Sequence, residues 1–174
     1  RHYAVEGMAC VPAIGDIGPV DLAVIAVANE RLEEQVGAAI EAGARSLALF
    51  ASCHGEASDG SPLASRLGDM AAEAGVPVCG GNGMGFLNIE RSLRVCGFFQ
   101  PWGLVPGGVT FLTHSGSLFS AMLHNHRRID FNLVVSTGNE LATTMDEYLS
   151  YAVSSPSTRV VGLFLETVRR PDAM

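Results

Sequence analysis

The stretch from Gly108 to His124 carries residue types that can bind an anion where the backbone turns. Val109 to Leu112 is an apolar run of strand length, Thr113-His114-Ser115-Gly116-Ser117 interrupts it, and Leu118, Phe119, Met122 and Leu123 resume at helical spacing. A strand, a small polar turn and a helix aim unpartnered backbone N–H groups at one point, where the helix dipole is positive. Ser115, Gly116 and Ser117 leave room for a phosphate and add hydroxyl donors. Thr113 and Ser115 are the N-cap candidates when no ligand is bound. An ordinary capped helix in an α/β sheet accounts for the same residues.

Other residues offer chemistry at similar breaks. Gly80-Gly81-Asn82-Gly83-Met84-Gly85 holds four glycines in six residues, more than packing needs, so its backbone can approach a ligand or take positive φ. Cys53-His54 invites a thiolate–imidazole pair, but neighbours in an extended segment point to opposite sides. His54 reads instead as a pocket residue. Ser136-Thr137-Gly138-Asn139-Glu140 is a second polar turn, and Glu166 closes the apolar run that starts at Arg159. His114 reads as a bystander of the first turn and Glu140 as a loop residue. His124 and His126, with Arg127 and Arg128, read as a solvated cap at a helix end rather than a metal site. His2 says nothing. Ser115 does not fit a hydrolase nucleophile, because the Gly-x-Ser-x-Gly pattern is absent. Glu140 and Glu166 as a carboxylate pair would need a sugar cleft that nothing here suggests.

The elements that position these residues alternate. Asp21 to Val27 reads as a strand apolar on both faces, the mark of a parallel sheet covered on both sides. Asn29 caps a helix with Leu32, Val36, Ala39 and Ile40 as its buried stripe and Gly43 as its stop. Ser46 to Ala51 is the next strand. Ser61-Pro62 opens a helix with Leu63, Leu67, Met70 and Ala74 inward and Gly75 at its end. Val76 to Cys79 is a short strand, and residues 89–107, with Trp102, read as irregular or hairpin structure and a crossing between domains. Phe131 to Ser136 is a strand. Thr143 with Asp146 resembles a capping box for a helix whose buried face is Met145, Leu149, Ala152 and Val153. Arg159 to Leu165 is the last strand. The alternation gives α/β architecture with parallel sheets.

Composition narrows the function. Of 174 residues, 11 are basic and 18 acidic, a net charge of −7, which disfavours nucleic acid or an anionic membrane surface as partner. No apolar stretch approaches a membrane span. All the basic residues are arginine, which removes Schiff-base chemistry, a lysine base and a Walker P-loop. Cys10, Cys53, Cys79 and Cys96 lack Cys-x-x-Cys spacing, so neither zinc nor a redox pair is indicated. Reduced, mostly buried thiols in a cytoplasmic protein are the expectation.

Taken together, Val20-Asp-Leu-Ala-Val-Ile-Ala-Val27, the Gly80–Asn88 run, His114-Ser-Gly-Ser-Leu118, Ser136-Thr-Gly-Asn-Glu140 and the strand ending at Glu166 resemble the NDP-forming acyl-CoA synthetases, the superfamily of the succinyl-CoA synthetase α subunit and the ADP-forming acetyl-CoA synthetases. The resemblance implies a Rossmann-like CoA-binding domain over residues 1–103, lacking its first Gly-rich unit. The first half of a flavodoxin-like ligase domain follows over 104–174. It implies a reaction joining a carboxylic acid to CoA at the expense of ATP or GTP, through an acyl phosphate and a phosphohistidine. Ser115, Gly116 and Ser117 then hold the phosphate, and Glu166 orients the histidine. Val27, Ala28, Ser52, Cys53, His54, Asn82, Gly83 and Met84 line the CoA arm. Both ends read as cut, with the Gly-rich loop expected before Arg1 and the histidine after Met174. The expected partners are CoA, a small carboxylic acid, an ATP-grasp domain or subunit that binds the nucleotide with magnesium, and further copies of the chain. Gly81-Asn82-Gly83 stands where the family reads Gly-Pro-Asn-Cys or Gly-Pro-Asn-Ser, and His54 where many relatives carry a small or apolar residue. A non-catalytic CoA-binding or regulatory module is the alternative.

Overall fold

The structure is a computed structural model that describes residues 4–99, 101, 103–125 and 129–174. Trp102 and the basic cluster at His126, Arg127 and Arg128 lie outside the described residues, as does His2. The elements in order are β1 (Ala4–Val5), β2 (Met8–Ala9), β3 (Ala23–Ile25), α1 (Leu32–Glu41), β4 (Leu47–Leu49), α2 (Leu63–Ala74), β5 (Val78–Cys79), β6 (Gly85–Asn88), β7 (Leu93–Cys96), β8 (Val109–Thr113), α3 (Gly116–Leu123), β9 (Phe131–Ser136), α4 (Met145–Ser154) and β10 (Val160–Phe164).

Strands β3, β4 and β5 form a parallel sheet in that order. Its helices share one face: Leu32, Val36 and Ala39 of α1 and Leu63, Leu67 and Ala71 of α2 bury against Ala23, Ile25, Leu47, Leu49 and Val78. The expectation of a first strand covered on both sides does not hold. Val24 points the other way and is 46% exposed, because none of the described helices packs there. Asn29 also departs from its expected role. It opens a short 3-10 turn whose N-cap is Ala28, and α1 has no side-chain cap.

The second sheet has the order β10-β8-β9-β6-β7. Strands β10, β8 and β9 are parallel, but β6 runs antiparallel to both β9 and β7. The expectation of parallel sheets is therefore corrected to one parallel and one mixed sheet, beside the short antiparallel pair of β1 and β2. The chain leaves β5 at its carboxyl end and enters the neighbouring sheet at the carboxyl end of β9, where Gly85 pairs with Ser136. From there it can only run backwards. By hydrogen bonding, the change of sheet falls between Cys79 and Gly85, ahead of residue 103.

Helices α3 and α4 cover opposite faces of this sheet. Phe119 and Leu123 pack on Leu87, Phe111, Phe131 and Val134, while Met145 and Ala152 pack on Leu112, Leu133 and Val135. Cys79 joins the second of these cores, so the two sheets share apolar contact at the tip of β5. Asn132 is the extra residue of a bulge, since Val109 pairs with Phe131 and Thr110 with Leu133. Its buried amide accepts from Thr110 and donates to Ser157 and Thr158. The capping box of α4 lies one residue later than expected. Thr144 is the N-cap and donates its N–H to Glu147 Oε2 at 2.9 Å. Thr143 instead accepts the Val78 N–H through its hydroxyl at 3.0 Å.

Candidate active site

The carboxyl ends of the parallel strands bring the expected residues together. At the tip of β8, Thr113 Oγ1 accepts the Ser115 N–H at 2.9 Å and sets the turn. Ser115 is the N-cap of α3, and its Oγ accepts the Leu118 N–H at 3.2 Å. Phe119 donates its N–H to the Ser115 carbonyl at 3.0 Å. Among the described residues, nothing accepts from the N–H groups of Gly116 and Ser117. Two open amides thus head an eight-residue helix at its positive end, with the Ser117 side chain exposed. Gly116 must be glycine for packing as well. A Cβ there would lie 2.8 Å from Met84 Cγ.

That contact joins the turn to the glycine-rich loop. The Met84 N–H donates to Ser136 Oγ at 3.1 Å, and the Asn82 N–H donates to the Ala51 carbonyl at 2.7 Å. The Gly81 carbonyl accepts the Asn139 N–H at 2.7 Å. Gly81 and Gly83 are buried, while Asn82 and Met84 are exposed. Asn29 pins the neighbouring loop: its Oδ1 accepts the Cys53 N–H at 3.0 Å, and its Nδ2 donates to Ser52 Oγ at 2.9 Å. Ser52, Cys53, Asn82, Gly83, Met84, Ser115 and Gly116 therefore form one connected rim. Val27 packs half-buried on the first core, and Ala28 and His54 stand exposed at the same strand ends. The Cys53 thiol is buried beside Gly81, with its pKa pushed up to about 11 by burial, so it is no thiolate.

Glu166 lies two residues beyond Phe164, which pairs with Thr113, so it follows the tip of β10 next to the turn after β8. Its side chain is exposed. Its N–H donates to Nδ1 of His114 at 2.9 Å. The same ring meets Glu140 Oε1 through Nε2 at 2.6 Å. His114 and Glu140 are 8% and 5% exposed, so both side chains are built into the turn rather than lying on its surface. The local sequence held no signal for this pairing beyond two polar residues next to strand ends. Glu140 Oε2 is buried without a hydrogen bond among the described residues, and the nearest cation is Arg169, whose Nε stands 4.0 Å away. His124 is a helix-end residue, as expected, with Nδ1 donating to the Ser120 carbonyl at 2.9 Å.

Comparison with known proteins gives this arrangement its relatives. Residues 106–174 match the family model described as the succinyl-CoA ligase like flavodoxin domain. The ADP-forming acetate–CoA ligase II of Archaeoglobus fulgidus is 26% identical over 166 residues, which are 92% of this chain and 24% of that protein. This chain is similar to the ADP-forming acetate–CoA ligases. Subunit alpha of the ADP-forming acetate–CoA ligase II of Pyrococcus furiosus is 22% identical over 173 residues, 97% of this chain and 37% of the subunit. In fold, the apo dinucleotide forming acetyl-coenzyme A synthetase 1 of Ca. Korarchaeum cryptofilum superposes with a TM-score of 0.85 at 24% identity, over 98% of this chain and 38% of that one. The same synthetase has also been solved in complex with phosphate and ADP. The chain thus spans about a quarter to two fifths of the length of these relatives.

Proposed function

We propose that this chain supplies the CoA-binding and phosphate-binding parts of an NDP-forming acyl-CoA synthetase, which joins a small carboxylic acid to CoA. An ATP-grasp domain or subunit holds ATP or GTP with magnesium and supplies the phosphoryl group. The work proceeds in a homo-oligomer through acyl-phosphate and phosphohistidine intermediates. The observation that carries the reading is the pair of open amides on Gly116 and Ser117, set against Met84 of the glycine-rich loop. A dianionic phosphoryl group needs fixed donors that cost no reorganisation when it arrives. The two amides and the hydroxyls of Ser115 and Ser117 are such donors at the positive end of α3. The exposed Glu166 carboxylate, whose backbone N–H is held by His114 next to Ser115, accepts from an incoming imidazole and fixes its tautomer. Ala28, Ser52, His54, Asn82 and Met84, on the adjoining strand ends, receive the pantetheine arm. The thiol then arrives at the turn where the phosphoryl group is held.

Replacing Ser115 and Ser117 by alanine in the complete enzyme should slow phosphoenzyme formation by about tenfold to a thousandfold. CoA binding, followed by thermal shift, should stay unchanged. Phosphoenzyme formation at the parent rate would remove the role of the turn and leave a CoA-binding module.

A further inference from the structure

We propose that His114 and Glu140 form a relay that fixes the position of Glu166. The proposal rests on the reading above, in which the Glu166 carboxylate orients the phosphorylated histidine. His114 is held at three points. Its N–H donates to the Phe164 carbonyl at 3.2 Å, its Nδ1 accepts the Glu166 N–H at 2.9 Å, and its Nε2 meets Glu140 Oε1 at 2.6 Å. Because Nδ1 accepts, it carries no proton. The ring proton therefore sits on Nε2 and is donated to Glu140. The contact is a hydrogen bond of a neutral imidazole, not an ion pair.

The carboxylate selects this tautomer. In the other one, Nδ1–H would face the Glu166 N–H, donor against donor, and the bare Nε2 would face a carboxylate oxygen. With both side chains nearly excluded from water, no solvent relieves either clash. Glu140 also reaches the far side of the same segment. Arg169 donates to the Asn139 carbonyl at 2.9 Å and stands 4.0 Å from the otherwise unpartnered Glu140 Oε2. Glu140 thus brackets residues 166–169, through His114 at one end and Arg169 at the other. The root of Glu166 is locked to the tip of β8, while its carboxylate stays exposed to meet an imidazole. His114 and Glu140 are positioning residues that touch no reacting atom.

The test combines a spectrum with kinetics. Long-range 1H–15N spectra of the chain should show His114 as the Nε2–H tautomer, and the Nδ1–H form would overturn the relay. In the complete enzyme, His114→Leu should lower the rate of phosphoenzyme formation by about a hundredfold, the scale of a small misplacement at a reacting centre. The KM for CoA should be unchanged. His114→Gln should recover most of the rate, since one carboxamide can accept the Glu166 N–H and donate to Glu140. Equal loss in both variants would make His114 a packing residue and sink the relay. Glu166→Gln separates the two ideas. Full rate in that variant removes the role of Glu166 itself, whereas a slow Glu166→Gln beside a fully active His114→Leu removes the relay alone. Should His114→Leu fail to fold, the tautomer and the His114→Gln rate still decide.

Discussion

Cys53 and Cys79 carry thiols that the fold shuts away. Burial pushes both up to about 11 from the ordinary value of 9.0. Cys79 sits against Tyr148, whose phenol is itself raised well above its usual value, first by burial and then by Cys79. At neutral pH neither thiol offers the thiolate that an alkylating agent needs. Exposed Cys10 should react with iodoacetamide in the native chain, while Cys53 and Cys79 should react only after denaturant is added. Peptide mapping of the labelled chain checks this, and rapid native labelling of Cys53 would mean that its loop opens. The sign of the pH dependence follows. Above about pH 9 the unfolded chain releases these protons and the folded chain does not, so the native state binds more protons there. Stability should be intact below about pH 9 and fall as pH rises toward 11, seen as a declining Tm in buffers that otherwise match.

At the scale of elements, the turns after β5, β8 and β9 act as one assembly. Gly138 shows how tightly they are joined. Its φ is +63°, and a Cβ there would run into the Gly81 carbonyl and lie 2.6 Å from the Gly83 nitrogen. Gly138→Ala should cost about 2 kcal/mol or more, since left-handed strain and a backbone clash add. Urea denaturation at constant m-value measures it, and an unchanged midpoint would mean that the two loops are not bound as described. The local patterns here were legible in the sequence. The turn at Ser115 and the periods of β8, α3 and β9 are each written within a few residues, and the Gly75 stop of α2 takes its left-handed φ of 66°. Strand β6 was hidden because glycines crowd its start, and its direction depends on a sheet that the chain has yet to form. The capping box moved from Thr143 to Thr144 because the hydroxyl of Thr143 is claimed by Val78, 65 residues away. The His114–Glu140 contact, 26 residues apart, is likewise a tertiary fact without local trace.

At the scale of the whole molecule, part of the exposed apolar surface lies on a sheet margin. Strand β10 is an edge of the second sheet, paired only with β8 among the described residues, and it is apolar throughout. Val160, Leu163 and Phe164 are 57%, 39% and 43% exposed. An apolar edge strand with open N–H and C=O groups is a template for further pairing. Charge opposes this only weakly, because a net −7 over the whole chain places no lysine or acidic side chain within Val160–Phe164. Residues 1–174 expressed alone should therefore self-associate as concentration rises, with light scattering after gel filtration as the measure. Val160→Lys with Leu163→Lys should return the chain to monomer by placing charge on that edge, with Tm lowered little because both side chains already face solvent in part. A monodisperse monomer of the parent chain at high concentration would show that β10 is protected by its own twist or by the segment that follows it. Persistent association of the lysine variant would move the contact to another exposed apolar side chain, such as Val24 of β3.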